Sequence, residues 1–258
     1  MNLRSIFLAL FFTSLSVVHA EDEKAHPVVS FRIYLWPGEN PPGVQTVPTP
    51  DSNAASNKEE DGIDFMDPYE PPLIEYCPTG EGETVQIKAE AQRISPLYEY
   101  SSSDPLTFFQ EVSTSNNSFS RKTLGKIGLP PNQKQSLLIF YPKSESTGYD
   151  IFPVDSSQRG IPAGKSRVYN LTTTPVACLF NQQSIRLEPG ESELAELGPN
   201  QDFSVTIRIG APNEEGKWRE RYAQRLRIPP EASILTLIYR KSGNRNAYRV
   251  TALEIPEE

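Results

Sequence analysis

Histidine and cysteine are scarce in this chain of 258 residues, with two of each. One histidine, His19, falls in the N-terminal leader discussed below, which leaves His26 alone in the rest of the chain. Serine and cysteine nucleophiles are usually activated by a positioned imidazole, and zinc or copper sites usually draw on several His or Cys ligands, so the shortage removes those classes. A cupredoxin-like copper site fails on the same ground, since Cys178 leads into Leu179-Phe180 with no histidine to share a metal. His26 reads as a residue of a polar tail. Two cysteines are also too few for a disulfide framework. Cys77 and Cys178 suit a single bridge in an oxidising compartment, while the apolar stretch PVACLF around Cys178 leaves a buried free thiol open as the alternative.

Long apolar runs are equally rare. The one candidate, residues 6–18, is shorter than the roughly 20 residues needed to span a bilayer. Arg4 precedes it and Val18-His19-Ala20 follows with small residues at the offsets of a cleavage site, so residues 1–20 read as a secretory signal peptide and the protein as secreted or periplasmic, with no transmembrane anchor. Removing them takes away one of 25 basic residues and none of 33 acidic ones, leaving a net charge of −9. An exported, acidic chain is a poor match for nucleic acid.

A sustained helical period is missing throughout, and what is there is a succession of strands. Val29, Phe31, Ile33 and Leu35 alternate with Ser30, Arg32, Tyr34 and Trp36, the period of two expected of a strand with one buried face. Residues 37–82 then hold nine prolines and the run DSNAASNKEEDG, a composition that cannot offset the entropy of ordering. They read as a disordered acidic Pro-rich insertion whose far end is pinned by Leu73, Ile74 and Tyr76. Beyond it come LTFFQEV, FSRKTL and SLLIFY, the last an unbroken apolar run that predicts a central strand covered on both faces. YDIFPV, SRVYNL, PVACLF, SIRL, ELAEL, FSVTIRIG, KWRERYAQRLRI, SILTLIYR and AYRVTALEI follow at short spacing, separated by turn residues such as Pro189-Gly190. The expected class is all-β, with two tandem β-sandwich (Ig-like) domains, residues 21–145 and 146–258.

Gly164-Lys165-Ser166 imitates the end of a phosphate-binding loop. Only Ile161, Pro162 and Ala163 separate it from Gly160, where that loop needs four residues, and SRVYNL after it is strand-like where a helix is required. It reads as a turn entering a strand. The acidic run Glu59-Glu60-Asp61 lacks the glycine spacing of an EF-hand. No metal or cofactor is assigned.

The stretch around this turn, GIPAGKSRVYN followed by PVACLFNQQSIRLEPGES, resembles a family of uncharacterised secreted bacterial β-sandwich proteins, as do SPLYEYSSSDPLTFFQE and SLLIFYP upstream. The resemblance covers residues 84–255 and implies a sandwich scaffold without catalytic residues. The bacterial source it implies also discounts Asn116-Asn117-Ser118 and Asn170-Leu171-Thr172 as glycosylation triplets.

Charge is unevenly spread: residues 21–83 hold fourteen acids and three bases, whereas 217–249 hold nine bases and two acids. Within WRERYAQRLRI, strict alternation places Trp218, Tyr222, Leu226 and Ile228 on one face and Arg219, Arg221, Arg225 and Arg227 on the other. Four guanidiniums in a row would bind carboxylate, sulfate or phosphate in a forked geometry. The competing reading is a solvated face that pairs with neighbouring glutamates and discourages aggregation. A third has the acidic N-terminal segment lying against the stripe. The sequence therefore reads as a non-enzymatic interaction or assembly module of the cell envelope, its partner an envelope protein or an acidic polysaccharide. A carbohydrate-binding module stacking sugars on Tyr98, Tyr100, Phe108 and Phe109 is the alternative, and a carboxylate-based glycosidase ranks last.

Overall fold

The structure, a computed structural model, describes residues 28–36, 73–113, 119–130, 132–143, 148–198, 202–240 and 247–256. The expected signal peptide, His26, Glu59-Glu60-Asp61, Asn116-Asn117-Ser118 and residues 37–72 of the insertion lie outside them. The described residues form strands and no helix, and the chain is all-β.

The first half comprises β1 (Val29–Leu35), β2 (Ile74–Tyr76), β3 (Val85–Ile87), β4 (Tyr98–Tyr100), β5 (Leu106–Ser113), β6 (Phe119–Ile127), β7 (Gln135–Pro142) and β8 (Tyr149–Asp155). They make sheet I, in the order β4-β1-β7-β8, and sheet II, in the order β3-β2-β5-β6. The second half comprises β9 (Lys165–Asn170), β10 (Val176–Phe180), β11 (Gln183–Leu187), β12 (Ser192–Glu196), β13 (Ser204–Pro212), β14 (Trp218–Arg227), β15 (Ser233–Arg240) and β16 (Tyr248–Ile255). Sheet III runs β12-β9-β15-β16 and sheet IV runs β11-β10-β13-β14. Adding eight to each strand of sheets I and II reproduces sheets III and IV, including one parallel pair in each, β1 with β7 and β9 with β15. The halves repeat one topology, although the local sequences differ enough to hide it.

Three apolar cores order the sheets into layers II, I, III and IV. Phe31, Ile33, Phe108, Leu138 and Phe140 fill the space between sheets I and II. Val168, Cys178, Ile207, Ile209 and Ile238 fill that between sheets III and IV. The middle core joins the halves: Tyr34, Trp36, Leu137, Ile139 and Tyr141 of sheet I pack on Leu235, Leu237, Leu253 and Ile255 of sheet III. Alternation follows directly. In β7, Leu138 and Phe140 turn toward sheet II while Leu137, Ile139 and Tyr141 turn toward sheet III, so the run SLLIFY is buried on both faces as predicted. The same burial takes in Tyr34 of β1 and Trp36 just after it, which the one-sided pattern leaves outside. Trp36 packs edge-on to Tyr239 of the other half at 4.7 Å between ring centres.

Two expected boundaries move. The boundary at 145/146 falls between β7 and β8, which pair in antiparallel register from Ser136↔Asp155 to Pro142↔Tyr149, so β8 belongs to the first half. The change of half lies between β8 and β9 instead. The insertion also ends earlier than residue 82: Ile74 and Tyr76 are buried in β2, which pairs with β3 and β5, because these two side chains enter the core between sheets I and II. Leu73 stays exposed.

The link between the halves is a tight turn. Asp155 accepts hydrogen bonds from the Ser157 amide at 3.0 Å and hydroxyl at 2.6 Å, and the Ile161 amide donates to Ser157 O at 2.8 Å, which seats Ile161 in the middle core. A Cβ on Gly160 would come within 2.3 Å of Asp155 O, so only glycine fits there. Arg167 donates to Gly160 O from Nε and Nη2 at 3.2 and 2.8 Å. Gly164 has φ +72°, the Lys165 amide donates to Pro162 O at 3.1 Å, and β9 begins at Lys165. The phosphate-loop imitation is thus a turn into a strand.

Candidate functional site

Sheet IV ends the stack, and among the described residues no further layer covers its outer face. Its longest strand, β14, is an edge, paired only with β13. Val205, Ile207, Ile209 and Ala211 of β13 point into the core, so their partners Leu226, Gln224, Tyr222 and Arg219 stand on the inner side. Thr206, Arg208, Gly210 and Pro212 face outward with Arg225, Ala223, Glu220 and Trp218.

This register corrects the arginine stripe. Between Ile209 and Gly210 the pairing slips: Ile209 faces Tyr222, Gly210 faces Glu220, and Arg221 is the extra residue of a β-bulge. One inserted residue reverses the parity of everything beyond it. Arg225 and Arg227 therefore share the outer face, Arg219 falls on the inner side, and Trp218 moves from the expected apolar face to the outer one. Arg221 sits half-buried at the bulge, where its Nε finds no hydrogen-bond partner among the described residues. The first hairpin has the same device: pairing slips between Phe108 and Phe109, and the extra residue, Leu124, is buried. Four guanidiniums on one strand face do not exist.

What the fold assembles instead crosses strands. The Arg186 guanidinium of β11 lies 5.3 Å from the centre of the Trp218 ring. Trp218 is 42% exposed, and its ring lies over Gly210, where a Cβ would stand 3.8 Å from it, an ordinary van der Waals contact. Arg208 bonds Glu220 at 2.5 Å beside it. Farther along, Arg225 donates to Ser204 Oγ at 2.7 Å and pairs with Asp202. Asp202 is held below its ordinary value, first by the Ser204 hydroxyl donating at 2.7 Å and then by the Arg225 charge. At the far end Phe203 is 52% exposed with φ +58°, a conformation unusual for a bulky residue. Phe203, Arg227, Ile228, Pro229, Pro230 and Glu231 line a largely apolar groove of about 500 Å³ there.

The result is a strip along the ten residues of β14, roughly 30 Å long at about 3.3 Å per residue, with an exposed aromatic ring at each end and arginines between them. Arg186, Arg208 and Arg225 each have a carboxylate partner, Glu188, Glu220 and Asp202. These pairs are exposed, and such pairs typically contribute about 0–1 kcal/mol, so an incoming carboxylate can replace the resident one at little cost.

The other sequence-derived candidates separate. Cys77 and Cys178 are both free. Cys178 points into the core between sheets III and IV, where burial raises its thiol to about 12. Cys77 follows β2 on the opposite side of the stack, so two layers lie between them and no bridge forms. Phe108, Tyr100 and Phe109 are 0%, 3% and 6% exposed and are not free to stack on sugars. Tyr98 packs 5.8 Å from Phe31 and its hydroxyl accepts the Lys88 amide at 2.8 Å. Asn170 is fully buried: Nδ2 donates to Thr174 O and Leu187 O at 2.9 and 3.1 Å, while Oδ1 accepts from the Thr172 amide and hydroxyl at 3.0 and 2.7 Å. It closes a turn and is no glycan acceptor in the folded chain. No helix among the described residues is long and apolar enough to cross a membrane. Reading one strand at a time missed Arg186, Arg208 and Phe203, because their association depends on cross-strand register. No protein-family model matches the chain, and neither does any curated protein searched.

Proposed function

We propose that this chain is a non-enzymatic interaction module of the cell envelope, secreted or periplasmic, made of two tandem Ig-like sandwiches related to the secreted bacterial family it resembles. The observation that carries this reading is the exposed Trp218, seated over Gly210 and flanked by Arg186 and the Arg208–Glu220 pair on a sheet face that no layer of the described residues covers. Tryptophan and arginine dominate the energetic centres of protein interfaces, because each combines a large apolar area with directional bonding. The fitting partner is an envelope protein presenting carboxylates to the arginines and apolar side chains to Trp218 and Phe203.

The test is crosslinked co-purification from the envelope of the source cell, comparing the native chain with a Trp218→Ala, Arg225→Gln, Arg227→Gln variant and with Arg219→Gln. Captures shared by the native chain and Arg219→Gln but absent from the triple variant support the reading. Identical captures from all three refute it. A second reading, an acidic polysaccharide on the same face, draws support from the indole and its flat glycine floor. Because Trp36 is buried, emission quenched by a soluble uronate polymer reports on Trp218, and that result with no protein captured would replace the first reading by the second.

A further inference from the structure

A second site lies far from this face, at the junction of the halves. Where β1, β7 and β15 begin and β8 and β16 end, the turn 156–161 borders a cleft of about 740 Å³. Ile161 and Ile255 contribute its apolar surface; Ser30, Gln135, Ser156 and Ser233 supply hydroxyl and amide groups; Lys134 and Arg159 supply charge. Three features bear on its chemistry. Among the described residues its lining has two cations and no acid, in a chain whose acids outnumber its bases 33 to 25. Neither Lys134 nor Arg159 forms an ion pair among the described residues, whereas Arg186, Arg208 and Arg225 each do. Ser156 is 4% exposed and its hydroxyl has no hydrogen-bond partner among the described residues, a cost that a buried polar group carries unless something answers it.

The cleft also sits where small-molecule sites recur, between two packed units, and its volume is within their usual range of roughly 300–1,000 Å³. Its position is fixed on both sides. Ser30 donates its amide to Lys134 O at 2.9 Å and Ser156 donates to Gln135 O at 3.3 Å, so three of the bordering segments hold one another without the ligand.

We propose that this junction cleft binds an acidic sugar, a uronate unit whose carboxylate is held between Lys134 and Arg159 and whose hydroxyls bond Gln135 and the serines. The two cations select the anion, and the neutral donors and acceptors around them select a polyol over a bare ion. The site is independent of the Trp218 face, and its occupancy does not depend on that face having a partner.

The test titrates the full chain with glucuronate, glucose and inorganic phosphate, following backbone amide shifts by NMR. The expected result is saturable glucuronate binding with shifts centred on residues 30, 134–135, 156–159 and 233, and weak or no response to glucose. Lys134→Gln with Arg159→Gln is expected to weaken it by at least about tenfold, the scale for losing a charge-assisted hydrogen bond, with unchanged thermal unfolding. Trp218→Ala is expected to leave it intact, which separates this site from the sheet IV face. Non-saturating shifts, glucose binding as well as glucuronate, or affinity unchanged in the double variant would overturn the proposal. Phosphate binding as tightly as glucuronate would overturn the sugar assignment.

Discussion

Leu237→Ala tests whether the two halves share a core. Leu237 is fully buried in the middle layer, contributed by sheet III to a cluster that contains Trp36 and Tyr141 of sheet I. Truncation removes three carbons, which at about 0.8 kcal/mol per methylene forfeits about 2.4 kcal/mol of transfer free energy. A residual cavity of roughly 60 Å³ at about 24 cal/mol per Å³ adds about 1.4 kcal/mol. The sum, about 4 kcal/mol, lowers the melting temperature by about 8–16 °C for a chain of this size. Unfolding is followed by far-UV circular dichroism and by emission of Trp36 in a Trp218→Phe background. Trp36 belongs to the first half and Leu237 to the second, so the emission transition is expected to fall with the dichroism transition. A loss under about 1 kcal/mol, or a Trp36 transition left at its original temperature while the second half melts early, would refute the shared middle core.

Asn170→Ala is expected to cost about 3 kcal/mol in urea unfolding, since it removes four hydrogen bonds at a fully buried site, the one accepted from the buried Thr172 amide among them; a cost below about 0.5 kcal/mol would contradict that role. Cys178 is expected to resist thiol reagents in the native chain and to react on denaturation, and an intact mass lacking two hydrogens would expose a bridge that the layering forbids. Alkali has a calculable direction. Burial, with a smaller contribution from Tyr239, raises Tyr34 to about 12, and burial raises Tyr141 as well, so the fold favours their neutral forms. Their contribution to stability is full below the ordinary tyrosine value and is lost as pH climbs from about 10 through the raised values. An absorbance titration should show exposed tyrosines ionising first and the buried ones only with loss of structure. A single phase near pH 10 with dichroism intact would reject this assignment.

How far the sequence carries can be judged strand by strand. SLLIFY announced a doubly covered strand because the five consecutive apolar residues from Leu137 to Tyr141 cannot all avoid water unless both faces are packed. Its partner across the middle core, SILTLIYR, carries the same signal. Turns were legible for a similar reason, since Gly164 has a positive φ that other residues adopt only at a cost. Parity along KWRERYAQRLRI misled at one residue. A bulge leaves no mark in a strand's own pattern when the extra residue is a polar arginine on an exposed edge, and only pairing with Ile209 and Gly210 reveals it.

The sequence by itself determined the all-β class, the positions of most strands and the reduction in histidine- and cysteine-based chemistry, because these follow from local period, turn residues and counts. Tertiary structure decided the rest. The repeated topology, the stacking of sheets I and III face to face, the separation of Cys77 from Cys178 and the gathering of Arg186, Arg208 and Trp218 all depend on which strands pair and which faces meet. Those choices are set by contacts between residues far apart in the chain, and a period of two or a charge count within one segment is the same whichever partner that segment finds.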